Sequence, residues 1–323
     1  MIISNEEVAN CLTPEEVIDI VSRTWAWYGE DEIIMPPKIT TDMTPKGVDG
    51  WFNSMPGYIH PMDTAGIKVV GGYNGNRALG MPYIKCNILL TDPHTGMLKA
   101  LVAGDWISNM RTGAQPAIMV KNLAPSSDVV TFIGSGLQAF CALTCMSRVL
   151  DIKEVRVCDI NPEARKNFIS KFEGAPFKLV DCPDNESGCR GADVIITLTT
   201  ADGEFVMNDW VKDGCFVITM GSFHEVDDDI VRNADIIAID HIEQALHRGN
   251  LKPMAERGEI TAKDFNVQIG HVLCGKQKYT PDPTKRMYAH IVGMGCPDVV
   301  VAETARRKIE AAGTCKCTFD MQG

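Results

Sequence analysis

The sequence predicts an α/β protein in which a Rossmann-like, doubly wound parallel sheet is joined to a separate α+β domain. Three observations carry this reading. From Asp128 to Asp240, short β-branched runs alternate with helical patterns, as expected for parallel strands covered on both faces. A glycine-rich turn, "FIGSGLQAF", follows the first of these runs directly. The first 120 residues differ in texture, being extended and rich in proline and glycine.

Taken in order, the chain opens on a capped helix, "TPEEVIDIVSRTWAWYG", with Thr13 as N-cap, Pro14 in the first turn and Glu16 three residues on. The extended segments "IIMPPKITTDM", "WFNSMPGYI", "AGIKVVGGY" and "YIKCNILLTDPHTGMLKALVAG" follow. In the last of these, "DPHTG" between two apolar runs reads as a hairpin. The second half supplies six strands: "DVVTFIG", "EVRVCD", "FKLVD", "ADVIITLTT", "CFVITMG" and "DIIAID". Six parallel strands suit a dinucleotide-binding domain. A final helix, "PDVVVAETARRKIEAAG", returns to the first domain. The expected boundaries are 1–120 plus 293–323 for the α+β domain and 121–292 for the Rossmann-like one.

Composition narrows the class. The 323 residues are 45% hydrophobic and 23% charged, as in ordinary globular chains. A formal net charge of −11 argues against a nucleic-acid partner or an anionic membrane surface. There is no long uncharged apolar run and no signal-peptide pattern at the N-terminus, so the expected location is the cytoplasm. The twelve cysteines are scattered or at helical spacing; only Cys315 and Cys317 are close-set, with no second pair or nearby histidine. They read as free thiols, with no metal site.

The turn after the first Rossmann strand has Gly134, Gly136 and Ala139 at G-x-G-x-x-A spacing. The first glycine permits the tight turn, the second admits a pyrophosphate, and the small third residue lets helix and strand pack. Asp159 ends the second strand 25 positions after Gly134, where a carboxylate accepts the ribose hydroxyls of an adenosine. It also repels a 2′-phosphate, so NAD is favoured over NADP, with Arg165 as the residue able to reach in for the latter. Ser135, Leu137 and Gln138 complete the expected phosphate loop. Thr199, Met220 and Gly221 follow strands at the carboxyl edge of the sheet and join the cofactor-binding set. Arg111 poses a separate question. It shares a helical face with Ile107, Ala114 and Ile118, and an inward arginine requires an anionic partner or a route to water. A structural ion pair and a ligand-binding role both satisfy that.

The segment "LLTDPHTGMLKALVAGDWISNMRTGAQPAIMVKNLAP" followed by "VVTFIGSGLQAF" resembles the ornithine cyclodeaminase and mu-crystallin family, with its D-x-x-T-G turn, R-T-G-A tetrad and nucleotide loop in family order. "MPPK", "SMPGYI", "AGIKVV", "DHIEQALHRGNL" and "GMGCPDVVVAETA" are weaker matches. The resemblance covers nearly the whole chain. It implies an NAD(P)-linked subunit whose first domain binds substrate and forms a homodimer, acting at the carbon that bears the nitrogen of an amino or imino acid. It also implies that Arg111, Lys68 and Lys38 hold the substrate carboxylate, and that Thr112 of the tetrad meets the cofactor. Lys38 replaces a common arginine, and Tyr83 stands where relatives often have threonine, which implies a reshaped pocket.

One departure is specific. After the fifth strand this chain reads "TMGSFHEVDDDIVRNA", about three residues shorter than relatives, with Phe223 where the family's acid–base Asp is expected. Glu225 and Val226 align with the family's E-L. Asp227 is a substitute only if the loop folds differently; the alternative places Asp227, Asp228 and Asp229 in the first turn of the next helix. His224 is the other candidate acid–base group, because imidazole titrates near neutrality. A one-way hydride transfer to a C=N bond needs fewer proton transfers than cyclodeamination. The expected activity is therefore an imine reductase or amino-acid dehydrogenase, with Lys68 or His224 supplying the proton. Ornithine or lysine cyclodeamination, and NAD(P)H and small-ligand binding without turnover, are the alternatives.

Overall fold

The computed structural model describes residues 1–318 and divides into two compact units, Met1–Arg111 with the chain from Met294 onward, and Thr112–Gly293. The Asp105–Leu123 helix runs across the boundary, so Arg111 ends the first unit and Thr112 begins the second.

The first unit holds β1 (Ile2–Ile3), β2 (Ile33–Ile34), β3 (Ile39–Asp42), β4 (Gly50–Ile59), β5 (Thr64–Tyr73), β6 (Ile84–Thr91) and β7 (Leu98–Ala103). The sheet runs β1-β7-β6-β5-β4-β2, with β3 also on β4, and β4 to β7 form an antiparallel meander. The β6–β7 connection is the expected hairpin, its turn held by Asp92, which accepts from the backbone of His94 and Thr95. Alternation along β5 buries Lys68 and Val70 and turns Ala65, Ile67 and Val69 outward. The Cys296–Ala312 helix packs on β4, β5 and β6 and on the Pro14–Gly29 helix. Gly295, just before it, makes this approach possible, because a Cβ there would lie 2.8 Å from the Cβ of Met55 on β4. The capping box of Thr13 and Glu16 is formed, and Ser4 and Glu7 make a second around Asn5–Cys11, a helix the sequence reading did not name.

The second unit holds β8 (Val129–Ile133), β9 (Glu154–Cys158), β10 (Lys178–Cys182), β11 (Val194–Thr197), β12 (Phe216–Thr219), β13 (Ile236–Ile239), β14 (Val267–Gln268) and β15 (Met287–His290). All eight are parallel, in the order β10-β9-β8-β11-β12-β15-β13-β14. The six expected strands are present and two more join them. β15 inserts between β12 and β13, so its four residues are buried on both faces and show no alternation. The order reverses between β8 and β11, which creates the crevice at which doubly wound sheets bind ligands. All twelve cysteines are free thiols. Among the described residues, no helix is long and apolar enough to cross a membrane, and no group of histidine, cysteine and carboxylate residues could hold a metal ion.

Candidate active site

In the first unit, three elements deliver three charged side chains to one buried point. Lys68 comes from β5, Arg111 from the end of the unit's Asp105-led helix, and Asp298 from the first turn of the Cys296–Ala312 helix. Lys68 Nζ donates to Asp298 Oδ2 at 2.8 Å, and Arg111 Nε donates to Asp298 Oδ1 at 3.1 Å. Lys68, Arg111 and Asp298 are 1%, 6% and 0% exposed. Two basic side chains thus share one carboxylate in a desolvated place, where each charge depends on the others. Burial is the main cause pushing the Lys68 proton affinity down; Arg111 adds to this and Asp298 opposes it. The structure therefore brings Lys68 and Arg111 together through a residue the sequence reading missed. Asp298 lies 187 positions from Arg111 and reads in sequence only as an acid in a helix's first turn.

The other first-unit candidates lie in segments between strands. Lys38 is half-buried in the segment between β2 and β3. Tyr83 precedes β6; its hydroxyl accepts from Trp51 Nε1 at 3.2 Å, and it lies so close over Gly72 that a Cβ there would be 2.6 Å from the hydroxyl oxygen. The Arg77 guanidinium stands 5.9 Å from the Tyr83 ring centre.

In the second unit, β8 runs into the turn at the switch point. Gly134 has φ of +97°, a region that favours glycine, and a Cβ there would lie 3.1 Å from the Leu198 carbonyl oxygen beyond β11. Gly136 caps the Leu137–Val149 helix with no side-chain hydrogen bond, and a Cβ there would meet nothing within 4 Å. The helix N-terminus thus opens onto unfilled space, which fits a phosphate. Ala139 is fully buried, as close helix–strand packing requires. Gly113 of the R-T-G-A tetrad has a packing reason of its own, since a Cβ there would lie 2.4 Å from the backbone of Cys141 in the Leu137–Val149 helix.

Asp159 follows β9 and accepts from Ser135 N and Oγ, both at 2.9 Å, and from Asn161 N at 2.9 Å. The next residue, Ile160, is fully exposed and Leu137 is largely so, giving the loop an apolar rim of the kind an adenine ring covers. Arg165 does not reach toward a 2′-phosphate. Its guanidinium pairs with Asp181 and donates to the Asp159 carbonyl oxygen at 2.6 Å. These residues fit a dinucleotide with free ribose hydroxyls.

At the carboxyl edge, Glu225 is the residue sequence reasoning passed over. It is fully buried, accepts from Thr199 N at 2.7 Å and Thr197 Oγ1 at 3.0 Å, and packs against Gly221. Burial holds its carboxyl above the usual range. It thereby ties together the segments carrying Thr199, Met220 and Gly221. Asp227 is placed as the N-cap of Asp228–Arg232, with its oxygens engaged by Asp229 N at 2.9 Å and Asn208 N at 3.2 Å. That is the helix-start arrangement. His224 is partly buried, with Nε2 3.1 Å from Asp228 Oδ1, and Asp228 also meets Arg232 and Arg257.

A parallel α/β unit with an open glycine turn at its switch point, together with the first unit and its buried cluster of Lys68, Arg111 and Asp298, defines a dinucleotide-linked enzyme of two-unit build. The chain belongs to the ornithine cyclodeaminase/mu-crystallin family, whose model matches residues 1–313. It is 30% identical to the alanine dehydrogenase of Archaeoglobus fulgidus over 308 residues, 94% of this chain and 93% of that one. It is 30% identical to the ketimine reductase mu-crystallin of Mus musculus over 282 residues, 85% of each. Among solved structures, an archaeal alanine dehydrogenase dimer with bound NAD superposes with a TM-score of 0.91 at 29% identity, covering 99% of both chains.

Proposed function

We propose that this protein is an NAD-dependent oxidoreductase that interconverts the C=N and CH–N forms of a small imino or amino acid. The observation that carries the reading is the Lys68–Arg111–Asp298 cluster. It places two basic side chains together, of the kind that meet a substrate carboxylate, and its arginine is a planar, permanently charged group suited to that role. When bound, the nicotinamide supplies or removes a hydride. Arg111 orients the carboxylate. Lys68, whose proton affinity is lowered, gives a proton to the imine nitrogen in reduction and takes one from the amine in oxidation. A single group handling a single proton suits this reaction better than cyclodeamination. The other expected groups, Asp227 and His224, are engaged with a helix start and with Asp228.

The ribose end depends on Asp159. Replacing it by alanine is expected to lower the preference for NAD over NADP by about tenfold, the scale of one charge-assisted contact. Comparing kcat/KM for the two cofactors checks this; an unchanged ratio removes Asp159 from the site.

The outward face of the first unit supports a homodimer. Pro56, Tyr58, Ala65, Ile67 and Leu89 line one open cavity of about 350 Å³ on that face, and Val69 and Leu101 extend the apolar surface. A sheet face of this kind is the normal seat of a second sheet. Ile67→Glu is expected to yield monomer in analytical ultracentrifugation, and a persistent dimer would move the interface elsewhere.

A further inference from the structure

Resting on the function just given, we propose that Asp298 is a positioning residue that sets the proton affinity of Lys68 against the opposing charge of Arg111. The carboxylate has Oδ2 2.8 Å from Lys68 Nζ, both oxygens 3.1 Å from Arg111 Nε, and no exposed surface. The contacts are direct, and the three charges act on one another at low dielectric.

The surroundings of Lys68 leave few other contributors. In register, β4 presents Met55 and β6 presents Ile88, both uncharged. β6 also brings Cys86, whose thiol burial pushes up to about 12, so it stays neutral. The Asp105-led helix brings Arg111, and the Cys296–Ala312 helix brings Asp298. Without the carboxylate, a buried ammonium would face a buried guanidinium alone and shed its proton at much lower pH. Without the guanidinium, the ammonium and carboxylate would form a matched pair that holds its proton more tightly. Asp298 thus keeps Lys68 able both to give and to accept a proton.

The test labels lysine with ¹³C at Cε and follows the Lys68 resonance against pH, assigned by its disappearance in Lys68→Arg. Asp298→Asn is expected to move the Lys68 midpoint down by at least about one pH unit, a tenfold loss of proton affinity. Arg111→Gln is expected to move it up by a similar amount. The limb of the kcat/KM profile that reports Lys68 should move acid-ward in Asp298→Asn by the same interval. A midpoint that stays put, or rises, in Asp298→Asn overturns the proposal. If that variant does not fold, Arg111→Gln decides: an upward shift supports the proposal and an unchanged midpoint overturns it. The expected shifts without any NADH turnover on imino acids would overturn the function and leave the role of Asp298 standing. Turnover with no shift would do the reverse.

Discussion

Replacing Arg111 by alanine is expected to lower kcat/KM for carboxylate-bearing imines by about 100- to 1,000-fold while leaving NADH affinity within about twofold. The magnitude follows from removing one member of a buried, hydrogen-bonded charge set, which typically costs about 2–5 kcal/mol. The selectivity follows from the geometry. Once Arg111 is gone, Asp298 and Lys68 still face each other at 2.8 Å as a matched pair, so the fold keeps its neutralised charges. What disappears is the guanidinium proposed to meet the substrate carboxylate. Ile107, Ala114 and Ile118 on the same helical face are fully buried and continue to hold the helix. Arg111→Lys should restore only part of the loss, because an ammonium offers a point charge where the guanidinium offers a planar fork. Steady-state kinetics with an imino acid and with an imine lacking the carboxylate separates the outcomes. Equal losses on both substrates, or an equal loss of NADH binding, would make Arg111 a structural residue only.

The second large effect concerns Gly136. Its φ of −77° and ψ of −167° suit an L side chain, and a Cβ there meets no atom of the protein within 4 Å. Gly136→Val is therefore expected to fold with an unchanged melting temperature. The same valine fills the space in front of the Leu137–Val149 helix, where a pyrophosphate is expected to approach the backbone. NADH affinity should fall roughly 10- to 100-fold, the scale of forcing extra methyl groups into an occupied site. Fluorescence titration of NADH, run beside thermal melts, reads both quantities. Gly134→Val is the contrasting control, since φ of +97° and the nearby Leu198 carbonyl oxygen make it destabilising whether or not dinucleotide binds there. Undiminished NADH binding by Gly136→Val would remove the turn from the cofactor site.

Local patterns were readable wherever one segment contained its own reason. The Thr13 cap, the "DPHTG" hairpin, the glycine turn after β8 and the inward face of Arg111 each follow from spacing within a few residues. The structure adds what distant segments bring. Asp298 is inconspicuous in "GMGCPDVVV" because an acid in a helix's first turn needs no special partner. It becomes the centre of a charge cluster only when Gly295 lets that helix settle on Met55. β15 escaped notice because "MYAH" is short and buried on both faces, and its place between β12 and β13 is not sequential. Glu225 was readable only as an alignment mark. Its burial beneath Thr197 and Thr199 depends on a turn beyond β12, outside either partner's own strand pattern. Asp227 illustrates the opposite case, since a run of three aspartates before an apolar pattern already describes a helix start.

The most direct measurement follows absorbance at 340 nm in both directions. One arm supplies NADH with pyruvate or glyoxylate plus ammonia or methylamine, or with a preformed cyclic imino acid. The other supplies NAD with ornithine, lysine, alanine or proline and assays released ammonia. The expected result is stoichiometric NADH oxidation that requires both the C=N bond and the carboxylate, with loss in Arg111→Ala. Ammonia release from ornithine with only catalytic NAD would contradict it.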